Sequence, residues 1–190
     1  PKRNTWFFTR PKRFLDTYKL IQLLISIRGV VKKNKWKGNK EIQKQFTKEM
    51  EALGIKKEGN QRDKNSGGAR TYYAQLKSLG LLFDYEDIPL LTLAGQEIVE
   101  GSEPIKVLQN QLLKIQYPSS TTKDFNGEFH IQPVIFLLEL ICDQDIKKIS
   151  ESELIIPIIF AKTNDSFDLC KKYILKVRER IKICSNKIFE

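Results

Sequence analysis

Apolar residues recur at helical spacing through the first half of the chain. Phe14, Tyr18, Ile21 and Ile25 step by 4, 3 and 4, which predicts a helix over about 12–28 that ends at Gly29. A lysine-rich linker, Val30–Lys40, follows. Asn39 then offers a cap for a second helix with Ile42, Phe46, Met50 and Leu53 as its stripe and Gly54 as its stop. The stretch from Ile55 to Gly68 holds almost no apolar residue and is predicted to be a loop. A third helix over about Ala69–Leu79 buries Tyr72, Leu76 and Leu79, and Gly80 ends it. Then the period changes from helical to extended. Leu81–Phe83 reads as a strand, Asp84–Ile88 as a polar turn, Pro89–Leu93 as the returning strand, and Ala94–Glu100 as a helix again.

The second half reads as more helical. Pro104 opens a helix with Ile105, Leu108, Leu112 and Ile115 inward, running to Tyr117-Pro118. Pro133–Cys142 is apolar nearly all round, as a central core helix is. Ser150 and Glu153 have capping-box spacing before a short helix that Pro157 kinks or ends. Asn164 or Asp165 can cap a last helix with Phe167, Cys170, Ile174, Val177 and Ile181 on one side. The fold class that follows is mainly α, with some β. Its predicted form is two tandem winged-helix or helix-turn-helix-like subdomains, 1–101 and 102–190, the first carrying a short hairpin wing.

Charge sharpens this picture. Residues 1–80 hold 20 Lys and Arg against 6 Asp and Glu, a balance of +14, while residues 81–190 hold 13 against 17, a balance of −4. Segregation of this kind points to a polyanionic partner, a nucleic acid or an anionic membrane surface. No apolar run approaches the roughly 18 residues of a membrane span, and the basic opening lacks the apolar core of a signal peptide. Three scattered cysteines, Cys142, Cys170 and Cys184, sit among apolar residues and read as buried thiols of a reducing cytoplasm. With His130 the only histidine, neither a zinc site nor a Ser-His-Asp triad is supported.

The candidate contact residues fall into three groups. Arg70, Tyr73 and Lys77 share the face of the third helix opposite its buried stripe, with Gln75 toward the edge. In a helix-turn-helix that face enters the major groove, where Arg reads guanine and Gln reads adenine. Arg62 and Lys64 lie in the long loop before it, which serves either as a contact or as a solvated insertion. Lys35 and Lys37 flank Trp36 in the basic linker, and Arg10, Lys12 and Arg13 form an N-terminal cluster; all suit phosphate neutralisation. Trp36 reads as a core anchor rather than a stacking platform.

Catalysis within these residues is not expected. Metal-dependent nucleases place Asp/Glu-x-Lys on a strand beside a further carboxylate so that the carboxylates hold Mg²⁺. Only Asp145-Ile146-Lys147 fits the triplet, where 23 acidic residues and 25 lysines give about three by chance. It also falls between predicted helices.

Several stretches together resemble a known family. They are Lys35-Trp36-Lys37-Gly38 leading into a Gln-x-x-Phe-x-x-Glu helix, Arg70 ahead of Lys77-Ser78-Leu79-Gly80-Leu81-Leu82-Phe83, and Leu91-Thr92-Leu93-Ala94-Gly95. Further on come Leu112-Leu113-Lys114-Ile115-Gln116-Tyr117-Pro118-Ser119 and Ile131-Gln132-Pro133-Val134-Ile135-Phe136-Leu137-Leu138. In order and spacing they resemble the N-terminal region of AlwI-type type IIS restriction endonucleases, a family that includes strand-specific nicking enzymes. The resemblance implies a sequence-specific double-stranded DNA recognition region, monomeric on an asymmetric site. It needs no cofactor itself and is followed by a linker and a separate Mg²⁺-dependent PD-(D/E)xK cleavage domain outside this chain. No catalytic residue carries over, and the stretch 54–68 departs most from the pattern. The alternatives are a stand-alone winged-helix transcription regulator, which would dimerise on a palindrome, and a protein-interaction module whose basic face meets acidic partners.

Overall fold

A computed structural model of the chain describes residues 2–6, 16–57, 66–101, 103–119 and 127–186. Contacts divide the chain into two compact units, Phe8–Leu112 and a second made of Pro1–Phe7 with Leu113–Glu190. The sequence boundary at 101/102 thus compares with one after Leu112. The helix in between sides with the first unit because its Val107 and Leu108 pack against that unit's core.

The first unit runs α1 (Thr17–Val31), α2 (Lys40–Ala52), α3 (Gly67–Ser78), β1 (Leu82–Tyr85), β2 (Ile88–Leu91), α4 (Leu93–Glu100) and α5 (Pro104–Leu113). Asp16 starts α1 by accepting from the Lys19 amide, and Asn39 starts α2 by accepting from the Ile42 amide. The α1 stripe differs from the one expected. Leu20, Leu23, Leu24, Ile27, Val30 and Val31 are buried and Ile21 packs against the same core as expected, whereas Tyr18 is 68% exposed and Ile25 is exposed too; Phe14 lies outside the described residues. Six of the eight residues from Leu20 to Ile27 are apolar, so two stripes compete, and the one with more branched aliphatic bulk faces inward. The helix also runs through Gly29 instead of ending there. On α2 the stripe of Ile42, Phe46 and Met50 is buried as expected, with Leu53 packed on the same core.

The two strands form an antiparallel hairpin in which Tyr85 pairs with Ile88, leaving Glu86-Asp87 as a two-residue turn. Both turn residues have positive φ, 50° and 67°. That is the twist a tight hairpin demands, although Asn and Gly adopt it at lower cost than Glu and Asp. Thr92 then caps α4 on the Gly95 amide, and its hydroxyl donates to the Gly80 carbonyl, so the hairpin's exit is stitched to its entry. In α5 no residue is buried; Ile105 and Leu112 are exposed, against the inward stripe expected, and only Val107 and Leu108 reach the core.

The second unit contains α6 (Pro133–Cys142), α7 (Ile155–Phe160), a 3-10 turn (Asn164–Ser166) and α8 (Phe167–Asn186). Its core gathers Trp6, Tyr117, Phe129, Ile131, Phe136, Leu140, Ile146, Cys170 and Ile174. The Trp6 indole N–H donates to the Ala161 carbonyl at 2.6 Å, and its ring meets Phe136 edge-on. The expected α8 stripe is buried only in its first half: Cys170 and Ile174 are inside, but Val177 and Ile181 are exposed. Cys142 and Cys184 are exposed as well, so of the three thiols only Cys170 is interior, and burial pushes its pKa up to about 11. The capping box is formed, with the Ser150 amide donating to Glu153 and the Glu153 amide to the Ser150 hydroxyl.

Taken together, the described residues form a mainly helical α+β fold with one small two-stranded antiparallel sheet. Among them, no helix is long and apolar enough to cross a membrane.

Two stability predictions follow from this packing. A Cβ on buried Gly95 would run into the Leu81 carbonyl oxygen, so Gly95→Ala should cost about 1–3 kcal/mol in urea unfolding. Glu153 accepts from the Arg178 guanidinium at 2.6 Å, which with the Ser150 bonds holds its pKa near 2 rather than 4.5. A depressed folded pKa gives stability that is present above about pH 4.5 and lost as pH falls toward 2. Glu153→Gln should therefore lose on the order of 2 kcal/mol at neutral pH and flatten the acid limb of the pH–stability curve.

Candidate functional site

The candidate site forms where the α1–α2 loop, α2, α3 and the hairpin meet. Trp36 is its floor. The indole is buried, stacks on Tyr73 with centroids 4.5 Å apart, and meets Phe46 edge-on at 5.8 Å. Its backbone is held at both ends: the amide donates to the Asp87 carbonyl at 2.9 Å, and the carbonyl accepts from the Gln43 side-chain amide at 3.1 Å. The other end of Gln43, its Oε1, accepts from Arg70 Nη1 at 3.2 Å. One buried glutamine thereby fixes both the loop and the guanidinium.

Above this floor opens a shallow cleft of about 260 Å³, lined by Lys37, Gly38, Gln43, Arg70, Asp84 and Asp87 beside the two rings. Asp84 closes one side. It accepts from the Tyr73 hydroxyl and pairs with the Lys77 ammonium, which also lies 5.7 Å from the centre of the Tyr73 ring. Burial, then the Asp84 carboxylate, pushes the Tyr73 pKa up, so the phenol stays protonated and donating across the accessible pH range. A larger recess of about 510 Å³ lies between the hairpin and helices α1 and α4. Its walls include Ile27, Phe83 and Leu90, with exposed Lys32 among them and Arg28 paired to Glu100.

The residues singled out from sequence divide accordingly. Lys37 and Arg70 come together on the cleft, and Lys35 is exposed in the same loop. Tyr73 was expected on the outer face of α3 but is only 6% exposed, because Trp36 and the hairpin cover it. Lys77 does not project alone, since Asp84 holds it. Gln75 is half-buried, and its Oε1 is a buried acceptor without a donor among the described residues. Arg10, Lys12, Arg13, Arg62 and Lys64 lie outside the described residues.

Sequence reasoning missed the acidic side of the site. In sequence Asp84 and Asp87 read only as part of a polar turn, and it is the hairpin register that brings Asp84 to Tyr73 and Lys77. It also missed Gln43, whose clue was an amide in the middle of a buried stripe. The Asp145 triplet does not fit a divalent cation: Lys171 pairs with Asp145 at 2.7 Å and with Asp143 at 2.8 Å. Among the described residues, no group of three or more His, Cys, Asp and Glu is placed to hold a metal ion. No protein-family model matches the chain, and no curated protein matches it significantly.

Chemically, the cleft presents a guanidinium and an ammonium over an aromatic floor, with carboxylates along one wall. It is equipped to bind and orient. Its Tyr73 hydroxyl donates to Asp84 but stays protonated, so that pair supplies a fixed hydrogen bond rather than an activated nucleophile. Because its acceptor is buried and unmet, Gln75→Met should be neutral or stabilising by up to about 1 kcal/mol in chemical denaturation.

Proposed function

We propose that the chain is a sequence-specific reader of double-stranded DNA, built of tandem winged-helix-like subdomains. We take it as the recognition part of a type IIS restriction or strand-nicking endonuclease that acts as a monomer in the cytoplasm. The observation that carries the reading is the convergence of Lys37, from the α1–α2 loop, with Arg70, from the first turn of α3, on one open cleft. A backbone-neutralising cation and a base-reading guanidinium side by side are what a duplex edge requires. The order of three helices and a hairpin, the +14 balance of residues 1–80 and the resemblance to AlwI-type enzymes support the same reading. In that family, cleavage belongs to a separate Mg²⁺-dependent domain, and the carboxylates here give no reason to look for it in these residues.

Within this reading Arg70 is the base reader, aimed by its bond to Gln43. Tyr73 becomes a positioning residue for Trp36 and Asp84 rather than a groove contact. Lys35 and Lys37 neutralise phosphate, with Arg10, Lys12, Arg13, Arg62 and Lys64 as further expected contacts.

Selection of duplexes from a random pool tests the proposal, and failure to enrich any motif would defeat it. An enriched palindrome bound by a dimer would favour a stand-alone regulator instead. On the enriched site, Arg70→Ala should cost about 1–3 kcal/mol and relax one base position, while Lys35→Ala weakens every sequence alike. A uniform loss from Arg70→Ala with specificity intact would remove its base-reading role.

A further inference from the structure

Between residues 32 and 48 stand seven lysines, Lys32, Lys33, Lys35, Lys37, Lys40, Lys44 and Lys48, against one carboxylate, Glu41. All seven are exposed, and among the described residues none is ion-paired. Three of them form a row. Lys40, Lys44 and Lys48 recur every four residues on the outer side of α2, opposite buried Ile42, Phe46 and Met50. At 1.5 Å per residue the row climbs about 12 Å, the axial reach of three or four nucleotides of one strand at about 3.4 Å each. The other carboxylates of α2 do not cancel it: Glu51 is paired with Lys56 at 3.8 Å, and Glu49 lies further round the helix.

The hairpin has the opposite character. Asp84 already occupies Tyr73 and Lys77, and Glu86 and Asp87 at its tip are exposed. Among the described residues no cation pairs with either tip carboxylate. A phosphodiester backbone laid along the hairpin would meet like charge, whereas one laid along the α1–α2 loop and α2 meets up to seven ammonium groups. We infer that the duplex backbone docks along this loop and the outer face of α2, with the hairpin turn left off its path. The inference rests on the DNA-binding reading above and adds to it the surface and direction of docking.

The test is fluorescence anisotropy of a labelled duplex, titrated between about 50 and 200 mM salt, with the enriched site and a random sequence as separate probes. Replacing Lys40, Lys44 and Lys48 together by Gln should make the slope of log K against log salt shallower by about 2–3. Affinity at low salt should fall on the order of tenfold to a hundredfold for both probes alike. The corresponding triple Lys→Arg variant should keep the wild-type slope, and Glu86→Gln with Asp87→Asn should leave it unchanged. Lys44→Gln alone, at an exposed position with no ion pair among the described residues, should lower it by about 1. A wild-type slope in the Lys44→Gln or triple Gln variant, or a slope shift of 1 or more in the hairpin variant, overturns the inference while the DNA-binding reading stands. Absence of duplex binding by the unaltered chain defeats that reading, and the inference with it.

Discussion

The first unit is organised around Trp36, a single aromatic residue carried by a loop. A loop of lysines has no reason to adopt one shape, because its side chains prefer water and repel one another. Here the indole is driven into the core between Tyr73 and Phe46, and its two backbone groups are held by Asp87 and Gln43. Burying a ring of that size contributes several kilocalories per mole, enough to hold the cations on either side within a narrow range of positions. The same anchor reaches all the surrounding elements. Through Gln43 it sets Arg70; through Tyr73 it meets Asp84 and hence β1; through Asp87 it holds the hairpin turn.

That arrangement has an electrostatic consequence. The hairpin is docked by the Asp84 carboxylate at Tyr73 and Lys77 and by the Asp87 backbone carbonyl at Trp36, while Glu86 and Asp87 form an exposed turn with positive φ that glycine would adopt at lower cost. Docking the hairpin therefore neutralises one cation of α3 and sets an anionic edge beside a cationic loop. Of the 20 cations in residues 1–80, seven lie on the α1–α2 loop and one side of α2, while the described hairpin residues carry only carboxylates, Asp84, Glu86 and Asp87.

Much of this was legible in the sequence where period and punctuation agree. The α2 stripe, its Asn39 cap, the end of α3 near Gly80, the hairpin, α6 and the Ser150–Glu153 box all rest on local rules that the fold leaves in force. The stripes of α1, α5 and α8 were harder. Each has more apolar residues than one face can bury, and which face goes inward depends on neighbours that local spacing does not name. In the site, Lys37 and Arg70 were visible as charges beside an aromatic and at a helix start. Tyr73 was misplaced because it lies at the flank of the stripe of Tyr72 and Leu76, about 100° round the helix from Tyr72, and local spacing says nothing of Trp36 arriving from another loop to cover it. Asp84 was invisible for the same reason: its partners are 11 and 7 residues away and are brought to it only by hairpin register.

The geometry of α3 also bounds how a DNA reader of this kind could achieve its specificity. With Tyr73 buried, Lys77 paired and Gln75 half-buried, the outward surface of α3 is Arg70 and the small Ala74, flanked by Thr71 and Ser78. A bidentate arginine discriminates one base pair by about 1–3 kcal/mol, whereas specific readers exceed their own non-specific binding by about 4–10 kcal/mol. One guanidinium falls short of that span, so base reading from α3 alone would give a weakly selective protein held to DNA chiefly by its lysines. The remaining discrimination would have to come from the stretches carrying Arg10, Lys12, Arg13, Arg62 and Lys64, from the second unit, or from the deformability of the duplex itself. A small-sided α3 suits that division, because short side chains let a helix approach a groove closely while the sequence is read at its margins.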